Sequence, residues 1–181
     1  LYLLLVDRRW WRTRWPWLAV VVALVMQSGV IYWNWQHDWV SFRHTAAIGA
    51  DEQVTAIESI GYFLEYLGGQ FGAVSPILLV LFLWAMGWCA KRFRTDRDAA
   101  FLVLSFISLF GFYALVAFTR RANVNWPVAA YAAAAPALGW MWYARPRGRW
   151  ARGWLVAGLA LGAALGIGAR STDLLYVAGV P

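Results

Sequence analysis

Two short polar segments hold the side chains of this sequence that could bind or transform a substrate. The first runs Tyr32-Trp33-Asn34-Trp35-Gln36-His37-Asp38-Trp39 and continues to Arg43 and His44. It gathers amide donors and acceptors, an imidazole and a carboxylate among indoles, a mixture suited to a polar group whose lipid tail lies below it. Trp33, Asn34, His37 and Asp38 are its candidate binding residues. The same residues would also serve as an aromatic belt with solvated neighbours at a membrane surface. The second segment is Thr119-Arg120-Arg121-Ala122-Asn123-Val124-Asn125-Trp126-Pro127. The guanidinium forks of Arg120 and Arg121 match the oxygens of a phosphate. Pro127 is a residue type that opens helices, which puts Asn125 or Trp126 near a positive helix end. Anchoring to anionic headgroups is the plainer use of the same two arginines. His37 and Asp38 fit no recognisable metal-ligand pattern, so no metal ligand is assigned. The single cysteine, Cys89, excludes an internal disulfide and reads as a packing residue.

The elements that position these segments are built for lipid. Five stretches, at about 17–33, 74–90, 99–118, 126–144 and 153–169, contain no Asp, Glu, Lys, Arg or His. Crossing ~30 Å of hydrocarbon takes roughly 17–25 helical residues, which is their size. Hydrophobic residues make up 62% of the chain, against ~45–50% in soluble domains. No stretch alternates with the period of a barrel strand, and only helices or closed barrels satisfy their backbone in lipid. The expected fold class is all-α: a polytopic transmembrane bundle of about five spans, forming a single domain over 1–181.

The net charge of +7 would suit nucleic acid, but its distribution argues for a membrane. Arg8, Arg9, Arg12 and Arg14 precede the first span. Lys91, Arg92, Arg94 and Arg97 follow the second, and Arg145, Arg147, Arg149 and Arg152 follow the fourth. By the positive-inside rule these loops face the cytoplasm, and no nucleic-acid partner is expected. The implied location is a bacterial inner membrane, crossed several times. The outer loop, 34–73, is long enough to carry structure of its own. From Asp51 to Phe71 apolar residues recur every three or four positions, which predicts an amphipathic helix on the outer surface. Asp51, Glu58 and Glu65 form a stripe that reads as its water-facing side. Gly68-Gly69 is expected to break or end that helix, and Ser75-Pro76 to start the next. Gly158, Gly162 and Gly166 predict close helix packing within the bundle or against a partner. Pro136 predicts a kink. The opening Leu-Tyr-Leu-Leu-Leu-Val looks like the tail of an earlier span, so the chain is read as part of a longer protein.

Three blocks in order, VIYWNWQHDWVSF, then FLEYLGGQ with SP at a span start, then RANVNWPVAAY, give the sequence a family resemblance. It resembles the bacterial membrane glycosyltransferases of the dolichyl-phosphate-mannose–protein mannosyltransferase type. That group includes aminoarabinose transferases and lipopolysaccharide-core sugar transferases. The resemblance covers most of 14–143. It implies a GT-C superfold and transfer of a sugar from a polyprenyl-phosphate carrier to a lipid or protein acceptor at the periplasmic face. It further implies inverting displacement, with a base deprotonating the acceptor and cations stabilising the departing phosphate. On this model Arg121, with Arg120 as the alternative, neutralises phosphate. His37 and Asp38 shape a sugar pocket, and Trp33 or Trp126 stacks on the sugar. Asn125, Trp126 and Pro127 match the core of the third block. Asn123-Val124 stand where many relatives carry Glu-Pro, so one carboxylate expected there is absent. The acidic motif that supplies the family's catalytic Asp has no counterpart, and its place lies upstream of Leu1. The catalytic residue is therefore unassigned, and this piece is expected to be inactive alone. No cofactor is assigned, and a divalent cation stays open.

Two other classes compete. A transporter would place ionisable or helix-breaking residues at the bilayer midplane, where these spans offer only Pro136. A structural membrane subunit draws its support from the glycine stripe.

Overall fold

A computed structural model describes residues 1–47, 54–144 and 148–170. Asp51, Arg145, Arg147 and the terminal segment after 170 lie outside the described residues. The described residues are helical or loop, with no strand among them. The chain divides into two compact units, Leu1–Ala56 and Ile57–Pro181.

The first unit opens with α1 (Tyr2–Leu5) and a 3-10 turn (Arg8–Arg12), followed by α2 (Trp15–Gln36) and α3 (Val40–Ala47). Pro16 sits in the first turn of α2, where its missing N–H is not needed. Two indoles, Trp11 in the 3-10 turn and Trp17 in the first turn of α2, tie this stretch to its neighbours. Trp11 Nε1 donates to Leu3 O at 3.0 Å, and Trp17 Nε1 donates to Trp11 O at 3.1 Å. At 22 residues α2 extends to about 33 Å, long enough to cross a bilayer.

The second unit contains α4 (Ala56–Val74), α5 (Pro76–Ala90), α6 (Arg97–Ala117), a 3-10 turn (Trp126–Ala130), α7 (Tyr131–Ala144) and α8 (Arg149–Arg170). Its core forms where α5, α6 and α7 meet, with Phe82, Ala85, Cys89, Val103, Phe106, Ala134 and Met141 buried together. The alanines of α7 let it lie close against α5 and α6, and Pro136 stands inside it without ending it. Asp96 caps α6 by accepting from the backbone N–H groups of Asp98 and Ala99, which satisfies two of the helix's orphan donors.

Three described helices are long and apolar enough to cross a membrane: Trp15–Gln36, Arg97–Ala117 and Arg149–Gly168. A fourth is counted if α4 and α5 are taken as one bent span. The chain is that of an integral membrane protein, but the expectation of about five full spans is corrected downward. The second apolar stretch is cut by a corner at Ser75, leaving 15 residues in α5, or about 22 Å. The fourth begins as a 3-10 turn around Pro127, leaving 14 residues in α7, or about 21 Å.

Two further expectations change. The amphipathic helix of the outer loop is present as α4, yet Gly68-Gly69 does not end it; the helix runs on to Val74. There the chain turns by 106° into α5. Ser75 makes the corner with φ 99°, a left-handed conformation rare for a residue with a side chain. Its buried hydroxyl accepts from Leu78 N and donates to Gly158 O, both at 3.3 Å. The glycine stripe of α8 explains that contact. A Cβ on Gly158 would come within 2.9 Å of Ile77, and one on Gly162 within 3.0 Å of Val74 O. Two of the three glycines thus pack within this bundle.

Candidate functional site

The second and third blocks of the resemblance, far apart in sequence, meet in the second unit. Tyr66 and Gln70 lie one turn apart on the buried face of α4. Tyr66 Oη donates to Phe110 O of α6 at 2.8 Å. The Gln70 amide nitrogen donates to Tyr66 O at 3.1 Å and to Val124 O, in the turn after α6, at 3.3 Å. Its Oε1 accepts from Tyr131 Oη at 3.0 Å. One buried amide therefore joins α4, the turn 118–125 and the start of α7. The bonds of Gln70 to Tyr66 O and Tyr131 Oη are buried, which makes them expensive to lose, because water cannot replace the partner.

Gly69 completes the seam. A Cβ there would lie 2.6 Å from Cγ2 of Val124, so the turn rests directly on the α4 backbone. This close approach is the reason for the glycine that the sequence suggested as a helix stop. Aromatic pairs flank the turn. Phe63 stacks on Phe118 with centroids 4.3 Å apart, and Tyr113 tilts against half-buried Trp126 at 5.6 Å.

The turn presents Arg121 outward. Its Nε donates to Glu65 Oε2 at 2.9 Å, and its Cζ lies 5.7 Å from the Tyr62 ring centroid. Arg120 is half-buried, whereas Asn125 is exposed just before the 3-10 turn. Arg121, Glu65 and Tyr62 form one exposed cluster, a guanidinium beside a carboxylate and a ring, whose cation has the chemistry to receive an anion. Glu65 and Tyr62 were not picked out by sequence reasoning, which placed Glu65 on a solvated stripe. The signal was available, since Glu65 belongs to the FLEYLGGQ block.

The first unit holds the other candidate residues. Trp33 and His37 stack with centroids 4.2 Å apart. His37 Nδ1 lies 2.8 Å from Trp33 O, so it carries the proton and leaves Nε2 as the acceptor of the neutral ring. Asn34 is buried, unlike its neighbours, and both ends of its amide are used. Its Nδ2 donates to Val30 O at 3.0 Å, and its Oδ1 accepts from Ser41 N at 3.1 Å. Its carbonyl accepts from Trp39 N at 2.7 Å. These bonds hold a corner in which Asp38 and Trp39 adopt φ of 52° and 60°. Such backbone costs of order 1 kcal/mol or more per residue, which the Asn34 contacts offset. Asn34 builds the corner, while Trp33, His37 and Asp38 are exposed on it.

The chain is similar to a curated glycosyltransferase. Over 132 residues it is 33% identical to lipid A galacturonosyltransferase RgtD of Rhizobium johnstonii, a match covering 72% of this chain. The chain spans 27% of that relative's length. No family model matches the chain, and no solved structure does so. This relative shares the broad class that the resemblance implied, a glycosyltransferase.

Among the described residues no three His, Cys, Asp or Glu side chains gather where a metal could sit. Between α5, α7 and α8 an apolar groove of about 470 Å³ opens, with Val80, Trp84, Trp142 and Trp154 in its walls. Its chemistry is that of a lipid tail.

Proposed function

We propose that this chain is part of a membrane glycosyltransferase that moves a sugar from a polyprenyl-phosphate carrier to a lipid acceptor of the lipopolysaccharide type. The observation that carries the reading is the similarity to a lipid A galacturonosyltransferase over 132 residues. The meeting of the second and third blocks supports it, because residues 56 and more positions apart come together beside Arg121. The reaction takes place at the periplasmic face, with the arginine-rich loops in the cytoplasm.

In this reading Arg121 binds the carrier phosphate and neutralises charge as the glycosidic bond to phosphate breaks. Arg120 stands beside it in the same turn. Trp126 offers a face to the sugar, with Asn125 as a polar contact. In the first unit, taken by itself, Trp33, His37 and Asp38 stand on a polar corner built by Asn34 and serve as contacts to a sugar. Isoprenoid and acyl tails run in apolar grooves between the helices.

The test is transfer by the complete protein in membrane vesicles. Polyprenyl-phosphate-linked galacturonate and hexoses would be supplied with lipid A, and the product read as a mass increment of one sugar. Arg121→Ala is expected to lower turnover about 100-fold, as removal of one preorganised charge-stabilising group does. Full activity in that variant would remove Arg121 from the site, and no transfer from any polyprenyl-phosphate sugar by the wild type would refute the donor class.

A further inference from the structure

The proposed reaction gives Glu65 no task, yet its place is specific. Its Oε2 lies 2.9 Å from Nε of Arg121, across 56 residues of sequence. Tyr62, three residues earlier and so on the same face of α4, lies under the guanidinium. The pair is wet, with the Glu65 side chain 48% and the Arg121 side chain 70% exposed. Ion pairs so exposed add little to stability. The turn is already fastened by Gln70 and by the Gly69–Val124 contact, so a fold-stapling role explains little. What the pair fixes is the rotation of the guanidinium plane. Glu65 takes the Nε edge, and among the described residues no hydrogen bond engages the two terminal nitrogens. Those nitrogens form a fork that matches two oxygens of one phosphate or carboxylate.

We infer that Glu65 is a positioning residue. It grips Arg121 by Nε above Tyr62, so that the terminal nitrogens meet an oxyanion in bidentate fashion. The oxyanion is either the phosphate of the lipid carrier or the carboxylate of a uronic sugar. The inference rests on the proposed function for the reaction it serves.

Charge alone predicts the opposite sign to orientation. Removing a carboxylate beside Arg121 makes the site more positive and should tighten any anion that needs only charge. Losing the grip on Nε should weaken an anion that needs the fork. The experiment measures binding of undecaprenyl phosphate and, separately, of sodium galacturonate to the complete protein in detergent. The variants are Arg121→Ala, Glu65→Gln, Glu65→Asp and Glu65→Gln with Arg121→Ala, with melting temperatures as the folding control.

One of the two probes is expected to weaken about tenfold in Glu65→Gln, the order expected when a charge-assisted bidentate contact loses its geometry. Glu65→Asp should recover part of that loss. Glu65→Gln should add nothing once Arg121 is already Ala, since the two act as one unit. In transfer assays the donor KM should rise more than kcat falls. Unchanged or tighter binding in Glu65→Gln overturns the positioning role; a loss confined to Arg121→Ala then leaves the phosphate reading standing. Binding of galacturonate without undecaprenyl phosphate keeps the positioning role and refutes phosphate as the ligand of Arg121. Wild-type binding of both probes in Arg121→Ala, or binding of neither by the wild type, overturns both.

Discussion

Replacing Gln70 by Leu tests the seam that holds the candidate site together. The two side chains are close in size, so the change removes polarity with little change in volume. Three hydrogen bonds disappear, those to Tyr66 O and Val124 O and that from Tyr131 Oη. Tyr66 O lies within a helix, which leaves Val124 O and the Tyr131 hydroxyl as the orphaned groups. The buried Tyr131 hydroxyl costs about 1–3 kcal/mol when unsatisfied, and the part-buried Val124 O, which water can reach, adds less. At about 2–4 °C per kcal/mol the melting point of the purified protein should fall by at least about 2 °C. A second substitution separates this cause from a packing defect. Tyr131→Phe in the Gln70→Leu background removes one orphan and should restore about 1–3 kcal/mol, although Tyr131→Phe alone should destabilise. A melting point within 1 °C of wild type for Gln70→Leu, or additive losses in the double variant, would refute the network as the source of order at this turn.

Other outcomes follow from the same geometry. Gly69→Ala pushes a methyl to 2.6 Å from Val124, so the turn must shift. Activity should fall more than stability, measured as transfer rate against melting temperature. Gly162→Leu drives a larger side chain into Val74 O and Leu78 and should cost several kcal/mol of overpacking, read as loss of folded protein in detergent. Asn34→Ala leaves Ser41 N without its acceptor and should loosen the corner at Asp38 and Trp39 by about 1–3 kcal/mol, read by proteolysis between α2 and α3. Asn34→Asp keeps that acceptor and should retain most of the protection.

The membrane class was legible because lipid demands long uncharged helices, and that demand is written locally in each stretch. The number of full spans was not. Apolar composition continues through Ser75-Pro76 and Trp126-Pro127, while the backbone changes form at both places. Proline marked where each change occurs, but not that a sharp corner or a 3-10 turn would result. Arg121 stood out in the sequence by its chemistry and its place against the charge rule, and the structure sets it against Glu65. Glu65 was missed because spacing by seven says only which residues share a helix face, not what another segment brings to that face. Asn34 failed in the other direction. A polar residue among exposed neighbours reads as available, yet its amide is consumed by backbone that the sequence does not show bending back.

The corner at Ser75 has a consequence for where chemistry can occur. The left-handed backbone and a hydroxyl pinned to Gly158 set the angle at which α4 departs from the apolar shaft of α5. Glu65, and through it Arg121, therefore hold a fixed position relative to that shaft. Under the proposed function, substrates anchored by their tails present their reacting groups at a depth set by the bilayer. An elbow made of polypeptide would then bring protein and lipid to a common level, and reduce the encounter of two anchored molecules to a search in two dimensions.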